Sequence, residues 1–197
     1  MKTSIKSLTI ALGATIFLLS ANTGKAQSFD QGTSAINVGV GFGYSVDYYA
    51  GVSSTPVITA SYEYGATKLG PGTLGLGLAV GYQGSSYTYS DGIGDSWNDK
   101  WTATSFGVRA MYHWDVLQSD KFDIYGGLQL TYVHFGYSYT ATGPYYNYYP
   151  NAAGAISSSF YPYIIIGGRY YFSDHIGAFA ELGYDLSYFK IGISFKF

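Results

Sequence analysis

The chain has 197 residues, enough for one domain of ordinary size. Charged residues make up 11%, against ~25% in a typical soluble domain, while aromatics reach 19% with 23 Tyr and 27 Gly. The formal charge of −2 shows no basic footprint for nucleic acid, and the lack of Cys excludes disulfides and thiolate chemistry.

Residues 1–26 have the parts of a cleaved signal peptide: Lys2 and Lys6, a nearly apolar run over residues 8–20, then Gly24 and Ala26 at −3 and −1 before Gln27. That run is too short for a helix across a bilayer core of about 30 Å. Cleavage leaves seven cations against twelve acids, a formal charge of −5, and no later apolar run reaches 18 residues.

A short lead, residues 27–33, precedes the first regular segment. From Ser34 onward the signal is period two. Ile36, Val38, Val40, Phe42 and Tyr44 alternate with Asn37, Gly39, Gly41 and Gly43. Ile58, Ala60, Tyr62 and Tyr64 alternate with Thr59, Ser61 and Glu63. Leu74, Leu76, Leu78, Val80 and Tyr82 oppose Gly75, Gly77, Ala79 and Gly81. Phe106, Val108, Ala110, Tyr112 and Trp114 oppose Ser105, Gly107, Arg109, Met111 and His113. Phe122, Ile124, Leu128, Leu130 and Tyr132 oppose Asp123, Tyr125, Gln129 and Thr131. Ile164, Ile166, Tyr170 and Phe172 oppose Ile165, Gly167, Arg169 and Tyr171, and Pro162 marks a bulge or a rim. Ile176, Ala178, Ala180, Leu182 and Tyr184 oppose Glu181 and Gly183, with Phe179 breaking the pattern. YFKIGISFKF closes the chain as an eighth strand.

The connectors alternate. Residues 45–55, 84–100 and 140–156 read as long, whereas 65–72, 115–121 and 173–175 read as short. One end of the sheet therefore carries turns and the other loops, as in an up-and-down antiparallel meander. A soluble ligand-binding barrel would carry charges on its polar face, but here that face is mostly Gly, Ala and Ser. Small residues suit the cramped interior of an eight-stranded barrel. The apolar sets end in Tyr, Trp or Phe, as membrane girdles do. The reading is all-β: an eight-stranded antiparallel transmembrane β-barrel over residues 34–197, with its apolar face on lipid.

The final strand, with Phe189, Ile191, Ile193, Phe195 and Phe197 alternating, resembles the C-terminal recognition signal of outer-membrane barrels. The chain as a whole resembles the small OmpA/OmpX/OmpW-like barrel family. That resemblance implies a bacterial outer-membrane location, contact with lipid and recognition of the last strand by the barrel assembly machinery. It does not fix an activity, because the barrel hosts many roles.

The inward charges form one candidate site. Arg109, Arg169, Glu181, Glu63 and Lys190 share the polar parity, and a buried charge in a narrow barrel must be paired. Counting around the turn at 173–175 puts Arg169 a diagonal step from Glu181, so a Glu181–Arg169 pair is expected, with Arg109 opposite. The loops form the other candidate. Tyr87, Tyr89, Trp97, Tyr145, Tyr146, Tyr148 and Tyr149 suit a glycan or protein ligand. Catalysis has little support. The His-x-Ser stretch shared by eight-stranded lipid A deacylases is missing, and His134 and Ser138 would stand ~13 Å apart along a strand. No metal or cofactor set is evident among the three His. The expected role is structural or surface-interacting around a plugged lumen. A narrow passive channel for small or hydrophobic solutes is the alternative, and an outer-membrane lipid-modifying enzyme a minor one.

Overall fold

A computed structural model describes residues 28–43, 51–143 and 152–197. Its strands are β1 (Ser34–Phe42), β2 (Ser53–Ser54), β3 (Val57–Leu69), β4 (Gly72–Ser90), β5 (Ser96–Trp114), β6 (Phe122–Thr142), β7 (Ala152–Tyr171), β8 (Ile176–Gly183) and β9 (Phe189–Lys196). The two-residue β2 continues β3 past Pro56 along the same edge of β4. The other eight pair antiparallel in chain order, and β1 closes on β9. The seam ends on two backbone bonds: Ser34 N–H donates to the Phe197 carbonyl at 3.0 Å, and Phe197 N–H donates to the Ser34 carbonyl at 2.9 Å.

The alternation sorts the side chains as period two requires. Leu76, Leu78, Val80, Val108, Leu130, Ile166 and Ile193 are exposed on the outer wall. Asn37, Glu63, Arg109, Gln129, Arg169 and Glu181 are buried inside. The inner glycines make room for large rings. Gly39 and Gly192 are paired across β1 and β9, and a Cβ on either would stand within 2.8 Å of the Phe179 ring. Phe179 is therefore no lapse in the pattern, since its ring fills the space those glycines leave.

The wall is uneven in height. β4, β5, β6 and β7 have 19 to 21 residues, whereas β1, β8 and β9 have eight or nine. The long connector expected at 84–100 is largely strand, since β4 and β5 pair out to Ser90↔Ser96 and leave a turn at 91–95, and of the one expected at 140–156 the described ends, up to Thr142 and from Ala152, are strand as well. Tyr, Thr and Trp are good strand formers, and alternation of two polar-aromatic faces carries no hydrophobic period to reveal them. The expected turns at 115–121 and 173–175 are present, and β3 and β4 meet more tightly than expected, around Gly70 and Pro71. Above Ile165, β7 has lost β8 as a neighbour. Tyr171 N–H points to β6 and Phe172 N–H to β8, so alternation turns the N–H-less Pro162 toward that uncovered edge. Ile156 is the extra residue of a bulge opposite Phe135 and Gly136. Both features blunt an edge that would otherwise pair with foreign strands.

Candidate functional site

The lumen holds a continuous ion-pair network. Glu63 on β3 is its hub. Glu63 Oε1 lies 2.9 Å from Arg109 Nε, and Glu63 Oε2 lies 2.5 Å from Arg169 Nη2 and 3.4 Å from His113 Nε2. Arg169 Nη1 reaches Asp123 Oδ2 at 2.7 Å, and Arg169 Nε donates to Asn37 Oδ1 at 3.1 Å. Asp123 also meets His113 Nδ1 at 2.9 Å. Arg109 Nη2 donates to Glu181 Oε1 at 2.7 Å, and the Tyr125 hydroxyl donates to the same oxygen at 2.9 Å. Lys190 carries the network toward the loop side, 3.6 Å from Glu181 and bonded to Asp185. Desolvating so many charges is tolerated only because each faces an opposite one.

Both ends of this network are capped. On the turn side, Phe29 is fully buried and stacks on His113 with ring centroids 3.8 Å apart. Ser28 Oγ donates to the Phe122 carbonyl at 2.7 Å, Gly32 N–H donates to the Gly65 carbonyl at 2.8 Å, and Lys68 holds Asp30 at 3.1 Å. A Cβ at Gly65 would fall 2.2 Å from the Asp30 carbonyl, so the lead needs a glycine there. On the loop side, the β8–β9 connector folds inward, and Leu186 packs on Val57, Ala103 and Val133. A cavity of about 120 Å³ remains beside it, lined by Phe135, Tyr161, Tyr163, Tyr184 and Asp185 among others.

Above the mouth the tall sheet has two unlike faces. Tyr82, Phe106, Tyr132 and Phe160 form an outer aromatic belt, with Tyr132 and Phe160 5.1 Å apart. Beyond the belt the convex parity holds Lys100, Thr102, Thr104, His134 and Ser138. The concave parity holds Tyr87, Asp99 and Tyr139 in one cross-strand row and Ser85, Trp101 and Tyr137 in the next. Tyr89 stacks on Trp97 at 5.4 Å, and Trp101 lies 5.8 Å from Tyr137. The Tyr137 hydroxyl donates to Asp99 Oδ1 at 2.5 Å, and this bond pushes the phenol up to about 12.

A closed ring of eight strands with an apolar outside and a charged, capped inside is an architecture of membrane barrels. The model of the outer membrane protein beta-barrel domain matches residues 12–196. The chain belongs to that family. Its place is the bacterial outer membrane, where its apolar wall contacts lipid. Among solved structures, the chain is similar to the outer membrane protein OprG from Pseudomonas aeruginosa at 12% identity and a TM-score of 0.54, covering 87% of this chain and 99% of that one. It is also similar to Ail, the attachment invasion locus protein of Yersinia pestis, in complex with the heparin analogue sucrose octasulfate. That match has 12% identity and a TM-score of 0.51 and covers 85% of this chain and 99% of that one. No curated protein sequence matches.

In this family member the five lumen charges singled out from sequence do come together, but with different partners. Arg169 pairs with Glu63 and Asp123, and Glu181 with Arg109 and Lys190, in place of the expected Glu181–Arg169 pair. Glu181 sits directly opposite Gly167 and Lys190, so Lys190 is its cross-strand neighbour while Arg169 extends toward the turn side. Asp123, an inward charge near the turn-side rim by its sequence position, joins the network, and so do His113, Asn37 and Phe29, which the charge pattern did not single out. His113 and Arg109 share inward parity four residues apart on β5, which is a usable signal, whereas Phe29 lies in an aperiodic lead. Tyr87, Tyr89 and Trp97 lie on the concave face, and Tyr145, Tyr146, Tyr148 and Tyr149 lie outside the described residues. Phe189, Ile191, Ile193, Phe195 and Phe197 all expose their side chains on the outer wall. His134 bonds across to Ser158 Oγ at 2.8 Å on the outer wall, a His–Ser contact that sequence spacing did not suggest. Among the described residues no acid pairs with that His to complete a triad.

Proposed function

We propose that this outer-membrane barrel is a sealed anchor that presents its tall β4–β7 sheet for contact with ligands at the cell surface. The observation that carries the reading is the filled lumen: Phe29, the Glu63-centred network and Leu186 lie in series along the axis. A sealed lumen leaves the rim as the working surface, and the rim has aromatic rings half-exposed on its concave side. The sulfated ligand of Ail is a poor model here, because the concave rows carry the Asp99 carboxylate, and Lys100 takes the opposite parity. In this reading residues 1–26 are a leader removed on export, and the β9 strand ending in Phe197 is read by the assembly machinery.

The test is wild-type protein in planar bilayers, with binding to glycan and protein arrays in parallel. The reading expects no unitary conductance and saturable array binding. Steady conductance steps would move the assignment to a narrow passive channel.

A further inference from the structure

The concave rim combines aromatic faces with a carboxylate in a way that selects a ligand charge. Asp99 stands at the centre of the face, with Tyr87 and Tyr139 as its direct cross-strand neighbours. The Tyr89–Trp97 pair lies beyond it, next to the hairpin tip at 91–95, and the Trp101–Tyr137 pair lies on the membrane side. Trp97 and Trp101 are four residues apart on one strand, a separation of ~13 Å. Asp91 is occupied within its own turn, where Oδ1 accepts from the Ile93 and Asp95 amides at 2.9 and 3.1 Å. Asp95 is 6% exposed, so it offers little to an incoming group. Asp99 Oδ1 accepts from Tyr137, which turns the ring's hydroxyl toward the carboxylate and leaves Oδ2 as a second acceptor. Among the described residues, Lys100 is the one Lys or Arg of the sheet above the aromatic belt, and it lies on the convex side.

We propose that this face docks a segment of a partner protein that presents a Lys or Arg between apolar or aromatic neighbours, with Asp99 as the counter-ion. The proposal rests on the surface-binding reading and names its ligand chemistry. A side-chain cation over Tyr and Trp faces is attracted by the ring quadrupole, and a carboxylate at the centre adds a charge-assisted bond. The two ring pairs, one on each side of Asp99, match the side-chain spacing of about four extended residues. A sulfated glycan would meet repulsion at Asp99, and a neutral glycan, although its hydroxyls can donate to the carboxylate, would leave the charge itself uncompensated.

The test uses the full mature barrel in detergent micelles and reads tryptophan fluorescence, since Trp97 and Trp101 lie on the face. Three probes are titrated: a capped pentapeptide with a central lysine flanked by valines, the same peptide with glutamine at the centre, and maltohexaose. Asp99→Asn is compared with Asp120→Asn, an acid of the opposite, turn-side end. The lysine peptide is expected to change the fluorescence saturably. Asp99→Asn should weaken it about fivefold or more, Asp120→Asn should leave it unchanged, and added salt should weaken it in wild type. Equal binding of the lysine and glutamine peptides overturns the proposal. So does maltohexaose binding that is indifferent to Asp99→Asn, although that outcome keeps the surface-binding reading. Silence to all three probes overturns the proposal, and silence joined to bilayer conductance overturns the reading beneath it.

Discussion

Glu63 makes three contacts with cationic or titratable partners at zero side-chain exposure, so its charge is the one the lumen can least lose. Glu63→Gln keeps the shape but leaves Arg109 and Arg169 short of a counter-charge, which should destabilise the barrel by about 3–5 kcal/mol. A double-mutant cycle in bilayer unfolding should find strong coupling between Glu63→Gln and Arg169→Gln, and weaker coupling between Glu181→Gln and Arg169→Gln. Equal couplings would mean that the charges act as a diffuse pool rather than through these contacts. At the other end of the molecule, Tyr137 offers a titration test. Asp99 stabilises its protonated phenol, so the bond is intact below the ordinary Tyr value near 10 and is lost as pH rises through about 12. Tyrosinate absorbance of wild type minus Tyr137→Phe should titrate late, and Asp99→Asn should bring that step down toward the ordinary value. A Tyr137 step that ignores Asp99→Asn would remove the hydrogen bond from the account.

At the scale of strands, faces were legible in the sequence and heights were not. The outward Leu, Val and Ile assigned by alternation are exposed on the wall, apart from the half-buried Val40 and Leu74, because register fixes the face of every second residue at once. Leu78→Arg, at a mid-wall position, should therefore cost about 2–4 kcal/mol, while Phe172→Arg near the turn-side rim should cost little. Gly77 is a poor inward control, since any Cβ there would fall 2.0 Å from the Tyr62 carbonyl. Where the strands rise above the aromatic belt, both faces are wet and the hydrophobic period ends. Tyr87 to Ser90 and Ser96 to Lys100 therefore read as loop although they pair residue for residue. Partner choice within the lumen was equally hidden, because sequence spacing gives a residue's row but not the reach and direction of an Arg side chain. The last strand was legible for a different reason. Its outward set runs without a break to Phe197, whose backbone closes the seam against Ser34. Deleting Phe197 removes both of those bonds and the final aromatic. Cell fractionation should find less protein in the outer membrane with export intact. Normal insertion of the shortened chain would show that neither feature is needed.

For the whole molecule the question is whether three closures in series act as one. Phe29 closes the turn-side mouth, the Glu63 network fills the middle, and Leu186 covers the loop side. Conductance along a single file is set by its narrowest element, so opening one end leaves the others in place. Phe29→Ala removes a fully buried ring and should cost about 3–5 kcal/mol, or release the lead from the mouth. Leu186→Ala enlarges the cavity beside Phe135 and Tyr163 without touching the charges. Neither variant, nor the two combined, should show unitary conductance in planar bilayers, because Arg109 and Arg169 remain clamped between Glu63, Glu181 and Asp123. A combined variant that also carries Glu63→Gln is the first expected to admit ions, since it alone removes the carboxylate that Arg109 and Arg169 share and leaves each held from one side, by Glu181 or Asp123. Conductance from Phe29→Ala by itself would make the lead the true seal, and the lumen charges would then line a path rather than block it.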